Sequence, residues 1–302
     1  MTTLRLAVVG FGELGRACIQ AIRADEHSEL AGVVRRPEQV GEPRPTPFRD
    51  IAVAGHISEL GRVDVALICV PTPHVVGVAH DLLQHNVSIV ECAAVHGDEF
   101  QRHKDEIDRM AGRHKVPAVV GAGWDPGVLS LFRDLFALVV PHGHTDITRR
   151  PGVSLHHTTL AQTVDGVKGA LSTELRASDG RQQHYIYVEL ETDTTLEEVE
   201  RAIRADPLFL DEEVLVFAVD SIQALEDEGH GVQLERRGAA GPVEHQLLLL
   251  EGRFSERALA AQVMLAAARS IATRGRRAYS LFDLPLGSLW GELRPVAEEE
   301  WM

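Results

Sequence analysis

Cysteine is scarce in this sequence. Three occur in 302 residues, Cys18, Cys69 and Cys92, all within apolar segments of the first half and none at metal-ligand spacing. This excludes a disulfide scaffold and a cysteine-zinc module, and it predicts reduced core thiols in a cytoplasmic protein. Long hydrophobic runs are missing as well; none approaches the roughly 20 apolar residues of a membrane-spanning helix. The opening Met1-Thr2-Thr3-Leu4-Arg5 enters a strand pattern directly, without the form of a signal peptide. Basic residues are in deficit: 30 Lys and Arg face 45 Asp and Glu, a net charge of −15. That balance argues against nucleic acid and against an anionic membrane surface as partners, while leaving room for a local basic pocket. The chain carries no internal repeat and no low-complexity tract.

What remains is the composition of a soluble globular protein, 44% hydrophobic and 25% charged, long enough for two domains. Residues 4–36 organise the reading. An apolar run, Leu4-Arg5-Leu6-Ala7-Val8-Val9, leads into Gly10-Phe11-Gly12-Glu13-Leu14-Gly15. Leu14, Ala17, Cys18, Ala21 and Ile22 then recur at helical spacing, and Leu30-Ala31-Gly32-Val33-Val34 forms a second apolar run. In a strand–turn–helix–strand context the first glycine permits the tight turn. The second lets backbone approach a pyrophosphate, and the third lets helix pack on strand. The helix N-terminus adds free N–H groups and the positive end of its dipole. A dinucleotide-binding Rossmann domain is expected, rather than a glycine-rich turn of some other α/β protein.

The end of the second strand selects the cofactor. An acid there would bind the ribose 2′-hydroxyl of NAD. This chain has Arg35-Arg36 and no acid before Glu38. A guanidinium is always charged and donates in a fork, which suits a 2′-phosphate. NADP(H) is therefore the expected cofactor, against the plainer reading of both arginines as surface charges.

Further along, strand patterns at 51–54, 63–70, 88–92 and 118–121 alternate with helical ones at 74–85 and 97–113, after a polar, proline-rich connection at 37–50. This is the pattern of a parallel sheet covered on both faces. Ligands of such sheets sit beyond the carboxyl ends of the strands. Cys69, Val70, Pro71, Thr72, Pro73, Ala93, Ala94 and residues 121–127 should border the cofactor. From about residue 150 strand-like runs follow one another, at 153–159, 171–175, 184–190, 214–222, 231–237 and 245–250, interrupted by one helix at 195–205. A long helix at 256–273, capped by Ser255 and followed by Gly275, closes the pattern. The fold class is α/β: a dinucleotide domain at 1–122, joined by the return of 255–302, and an α+β substrate and dimerisation domain with a mixed sheet at 123–254.

The turn Gly123-Trp124-Asp125-Pro126-Gly127 is unusual. Together with the glycine motif and Val34-Arg35-Arg36, it resembles meso-diaminopimelate dehydrogenases. Further matches are Val95-His96-Gly97-Asp98, Asp206-Pro207-Leu208-Phe209, Gly229-His230-Gly231-Val232, Glu235-Arg236-Arg237-Gly238 and Gln262-Val263-Met264. The resemblance covers nearly the whole chain and is closest to the shorter type of the family. It implies an NADP-dependent homodimer that deaminates a D-amino-acid centre oxidatively, and aminates an oxo acid with ammonia in reverse. Asp125 is then the candidate to hold the nitrogen and relay a proton, and Trp124 a wall of the site. An N-cap role for Asp125 before Pro126 is compatible with this.

The departures from the family fall in the substrate pocket. Where the family has an aspartate after the strand ending at Glu91-Cys92, this chain has Ala94. Of the family's Arg, Thr, His and Asn that anchor the far carboxylate, only His230 survives. His184 stands at the Arg position, Glu174 near the Thr and His245 at the Asn, while the pocket loop reads Gly152-Val153-Ser154-Leu155. Losing a bidentate arginine removes the natural partner of a carboxylate. The D-centre chemistry is therefore expected on an altered substrate, an amino acid, amine or carbonyl lacking the distal carboxylate; meso-diaminopimelate itself stays open as a substrate, and an inactive NADP(H)-binding sensor is a further alternative. Glu174, His184, His230 and His245 could converge on a metal. Their placement on separate strands favours polar pocket lining, and no metal is expected.

Overall fold

The computed structural model describes residues 3–150, 155–176, 182–209, 213–227, 231–271 and 274–290. The chain opens with β1 (Leu4–Val9), α1 (Glu13–Ala24), β2 (Ser28–Val34), β3 (Val53–Ala54) and β4 (Val65–Ile68). It continues through α2 (Thr72–Gln84), β5 (Ser88–Glu91), α3 (Gly97–His114), β6 (Ala118–Val119) and α4 (Val128–Val139). A second compact unit takes residues 140–255: β7 (His142–Arg150), α5 (Leu155–Gln162), β8 (Val167–Arg176), β9 (Gln182–Leu190), α6 (Leu196–Ala205), β10 (Glu213–Ala218), α7 (Ile222–Asp227), β11 (Gly231–Ala240) and β12 (Val243–Arg253). The chain then returns to the first unit with α8 (Glu256–Ile271), β13 (Ala278–Tyr279) and α9 (Leu286–Leu289). The break after Val139 lies beyond the expected division at 122/123, because α4 belongs with the first unit.

In the first unit seven strands, in the order β13-β6-β5-β4-β1-β2-β3, run parallel throughout. The strands bury both faces, so they read as continuous apolar runs. One face packs Leu6, Val8, Leu67 and Val90 against Ile19 and Ile22 of α1 and Met264 and Leu265 of α8. The other packs Ala7, Val9, Ile68 and Ile89 against Leu82 and Leu83 of α2 and Ile107 of α3. Chain order reverses between β1 and β4, and the cavity opens at the carboxyl ends of those strands, as the doubly wound rule requires.

The second unit carries two three-stranded sheets. One is mixed, β10-β9-β8, and the other is antiparallel, β12-β11-β7. Ile186 and Val188 of β9, Val199 and Ile203 of α6 and Phe209 form its core. Thr195 and Glu198 cap α6 reciprocally, which fixes the expected helix at its predicted start. Three sequence expectations differ here. The run at 153–159 is in its described part helical, not a strand: Leu155–Gln162 forms α5, burying Ala161 while the Thr158 hydroxyl accepts from the Ser172 amide at 2.8 Å. Tertiary contact overrides the weak helix propensity of paired threonines. The run at 214–222 stops at Ala218, and Ile222 starts α7, whose first turn the Ser221 hydroxyl caps by accepting from the Ala224 amide at 3.2 Å. β7 escaped the sequence reading because His142–Arg150 is polar, with Ile147 as its single large apolar residue; its pairing with β11 makes it a strand.

Candidate active site

The glycine turn divides its three roles as the motif demands. Gly10 has φ +105°, and a Cβ there would lie 2.4 Å from the Cys69 carbonyl oxygen. A Cβ at Gly15 would lie 2.3 Å from the Gly10 carbonyl oxygen, so helix and turn are in backbone contact. At Gly12 a Cβ would meet nothing within 4 Å. Gly12 is also the N-cap of α1 and supplies no side-chain hydrogen bond, so the first helical N–H groups have no cap of their own. Open space over an uncapped helix N-terminus is what a pyrophosphate requires. Glu13 turns away to pair with Arg257 at 2.8 Å, and Leu14 packs into the core.

A cavity of about 830 Å³ extends from this turn. Gly10, Phe11, Gly12, Arg35, Arg36, Cys69, Val70 and Pro71 of the expected cofactor residues line it. His56, His74, Gly77 and Asp81 line it too, and the sequence reading missed them because they lie on a loop and a helix without a motif. The two arginines differ. The Arg35 side chain is 11% exposed, stacks over the Phe11 ring at 5.2 Å and pairs with Glu42 at 2.5 Å. Its Nη1 is buried without a hydrogen-bond partner. A buried guanidinium nitrogen with no acceptor is costly unless a ligand supplies one. Arg36 is 73% exposed, with Gln39 at 3.2 Å and Glu38 at 3.7 Å. Both line the cavity, Arg35 buried beneath Phe11 and Glu42 and Arg36 mostly exposed.

Thr72 and Ala93 act on the protein itself. The Thr72 hydroxyl accepts from the Ala94 amide at 3.1 Å. The Ala93 amide donates to Glu91 Oε2 at 2.5 Å. Glu91 is fully buried, and its Oε1 also accepts from the Gly121 amide at 2.9 Å and from His103 Nε2 at 3.1 Å. One carboxylate thus ties the loop after β5 to the loop after β6 and to α3. The hydrogen bond to Glu91 raises the His103 pKa above its ordinary value, against the opposing effect of burial. Burial, reinforced by Glu91, pushes the Cys92 thiol up to about 12, and Cys69 is raised well above the usual range by its hydrogen bond to Cys18 and by burial. The three cysteines are free thiols, as expected.

The Trp-Asp-Pro-Gly turn follows β6. The Gly123 amide donates to the Pro126 carbonyl at 3.2 Å, and the Val128 amide to the Gly123 carbonyl at 3.1 Å. Gly127 adopts φ +145°, and a Cβ there would lie 2.0 Å from the Gly123 oxygen. The Asp125–Pro126 bond is cis, and α4 begins only at Val128, so Asp125 is not the helix N-cap. Trp124 is buried at 6% exposure. The Asp125 side chain is 20% exposed, with His96 Nδ1 3.7 Å from its Oδ1. Asp125 and His96 line a second cavity of about 210 Å³ together with Phe100, Ser130, Arg133 and Phe282.

The expected pocket residues of the second unit are dispersed. His184 is fully buried on β9, on the same strand face as Ile186 and Val188, with its ring 6.3 Å from Phe209. Glu174 is its cross-strand neighbour in the β8–β9 register. His245 lies in the other sheet, on β12, with a side chain 94% exposed. Val153, Ser154 and His230 and the side chains of Leu155 and Glu174 lie outside the described residues. Among the described residues, the grouping close enough to share a metal is a different one, His56, Asp81 and His85.

No family-level sequence model matches the chain. A curated relative from Bacteroides fragilis, meso-diaminopimelate D-dehydrogenase, is 35% identical over 302 residues, covering 100% of this chain and 99% of the relative. The chain belongs to the meso-diaminopimelate D-dehydrogenase family. The Ureibacillus thermosphaericus member is 26% identical over 325 residues, covering 96% of each chain. Among solved structures, the Corynebacterium glutamicum diaminopimelate dehydrogenase in complex with diaminopimelate superposes with a TM-score of 0.65 at 21% identity, covering 100% of both chains. An engineered D-amino acid dehydrogenase bound to NADP⁺ gives 0.62 at 20% identity, again over 100% of both. At these identities the structures speak to the fold, which they share with this member of the family.

Proposed function

We propose that the protein is an NADP(H)-dependent dehydrogenase acting at the amino-bearing carbon of a D-amino acid, with Asp125 holding the nitrogen. Family membership supports the reaction class. The observation that carries the cofactor assignment is the paired fit of the cradle: open space at Gly12 and an acceptor-less buried nitrogen on Arg35. Bound there, the nicotinamide supplies the hydride acceptor in deamination and the donor in amination. The chain's own groups bind and orient. Asp125 accepts hydrogen bonds from the substrate nitrogen, and its half-exposed neighbour His96 passes the released proton towards solvent. Trp124, buried next to Asp125 in the chain, is the proposed wall of the site. Water then adds to the substrate imine, and ammonia leaves as the oxo acid forms.

The substrate itself differs from meso-diaminopimelate in its far end. Ala94 removes one carboxylate that would hold the amino group, and His184 puts a buried imidazole where the family has an arginine. A site that has lost a bidentate partner discriminates strongly against the charged group it once bound. D-amino acids without a distal carboxylate are the proposed class. A homodimer is proposed from Val243, Leu247 and Leu249, all more than half exposed on the edge strand β12. A cytoplasmic location is proposed from the free thiols; no described helix is long and apolar enough to cross a membrane.

The test is NADP⁺ reduction over a panel of D- and L-amino acids that includes meso-diaminopimelate. D-amino acids with neutral side chains are expected to be turned over, and L-enantiomers not. Asp125→Ala should lower kcat by about 10²-fold or more while leaving NADPH affinity within a factor of about two. Turnover unchanged in that variant would remove Asp125 from the mechanism.

A further inference from the structure

Beside the cavity at the glycine turn lies a trio of potential metal ligands, two of which, His56 and Asp81, line it. His56 leads into the short turn Ile57–Leu60, while Asp81 and His85 lie four residues apart at the end of α2. That spacing puts both side chains on one helix face. His56 Nε2 lies 3.3 Å from Asp81 Oδ2. Each of the three offers a ligand atom within 4.8 Å of the other two. Ligands bonded to one tetrahedral zinc at about 2.0–2.1 Å sit about 3.3 Å apart, so a small side-chain rotation closes the trio on an ion.

One further contact suits the same purpose. His85 Nδ1 donates to the Asp81 backbone carbonyl at 2.8 Å, while His56 Nδ1 lies 2.7 Å from the Ser58 hydroxyl and accepts from the Ser58 amide at 3.3 Å. A metal-bound imidazole is characteristically oriented as His85 is, by a hydrogen bond from the nitrogen that does not ligate. In His85 the carbonyl fixes the proton on Nδ1 and leaves the Nε2 lone pair for a ligand. The side chains are 38%, 49% and 40% exposed, so an ion reaches them from solvent and keeps water in its fourth position.

We propose that His56, Asp81 and His85 form a site for a divalent cation of the zinc class. Two imidazoles and one carboxylate select zinc, nickel or copper over magnesium and calcium, which prefer oxygen. His56 and Asp81 also line the cofactor cavity, so the ion would sit at its mouth. The site does not depend on what occupies the cavity.

The decisive measurement is equilibrium dialysis of the full, cofactor-free chain against Zn²⁺ alone, with the bound metal quantified. With 15 histidines in the chain, the variants carry the assignment. About one zinc per chain is expected for the parent, and His56→Ala with His85→Ala should weaken binding by about tenfold or more, as should Asp81→Asn alone. His80→Ala with His114→Ala, a second histidine pair with rings 6.0 Å apart, should leave it unchanged. Co²⁺ should give a visible tetrahedral spectrum in the parent that the His56/His85 variant loses. Zinc retained equally by that variant, or no zinc retained by the parent at micromolar concentration, overturns the site. NADPH binding, followed separately, reports on the cofactor assignment and not on this one.

Discussion

Gly12 and Arg35 divide the cofactor cradle between room and charge, and each can be tested alone. Gly12 has φ −71°, and its Cβ direction is open. Gly12→Ala should therefore leave the melting temperature unchanged while lowering NADPH affinity by about tenfold, because the methyl takes the place of the phosphate. Arg35→Ala with Arg36→Ala should weaken NADPH by about 10²-fold and NADH far less, since each charge-assisted hydrogen bond is worth about 1.5–3 kcal/mol. Fluorescence titration of both nucleotides decides this; equal losses would dismiss the 2′-phosphate reading. The motif made Gly12 and the arginine pair visible in the sequence. The distinction between a buried Arg35 and an exposed Arg36 was not visible, because it depends on Phe11 and Glu42 packing against one of them.

Glu91 is the opposite case. A single acid ending an apolar strand has no sequence signature, yet it is the buried junction of the loops that follow β5 and β6. Its partner His103 has a raised pKa, so charged His103 stabilises the fold. That contribution is complete below the unfolded value of about 6.5 and is lost as pH rises through the raised folded value. The difference in melting temperature between the parent and His103→Gln should be larger at pH 6 than at pH 9. A difference independent of pH would mean that His103 fills space and carries no charge there.

At the scale of the element, α1 shows how helix, turn and partner depend on one another. Its apolar face was read from spacing alone, and Cys18, Ala21 and Ile22 of that face are buried; Ile19, which the reading left out, is buried as well. What the spacing does not reveal is the partner. That is α8, more than 200 residues later, where the Cys18 thiol lies 4.0 Å from the Met264 sulfur. Ile19→Ala leaves a cavity in this contact and should cost about 2–5 kcal/mol of stability, read by denaturant unfolding. A loss under about 1 kcal/mol would indicate that the α1–α8 contact collapses around the void. β7 makes the complementary point. Its nine residues carry little apolar pattern, and their strand conformation comes from β11, laid alongside in unbroken antiparallel register. Arg236 of β11 completes that join, donating to the carbonyls of Val140 and Pro141 and to the Thr145 hydroxyl while only 7% exposed.

For the whole molecule, two compact units are built from three stretches of chain, and the first is finished only when α8 and β13 return to it. The second leaves Val243, Leu247 and Leu249 exposed along an edge strand, an arrangement that invites pairing with another chain. Leu247→Glu with Leu249→Glu should convert a dimer into a monomer by light scattering, with the unfolding midpoint of the isolated chain unchanged. A dimer that survives both charges would place its interface elsewhere.

The sequence by itself determined the doubly wound first unit, the place of its phosphate turn and the family, because all three are written in local periods and short motifs. Tertiary structure alone decided which polar groups are buried and what they meet. It set Glu91 among three donors, sank His184 into an apolar sheet face and left His245 in solvent. The physical reason is that a side chain's burial depends on residues distant in the chain, while its helix or strand period depends on its neighbours.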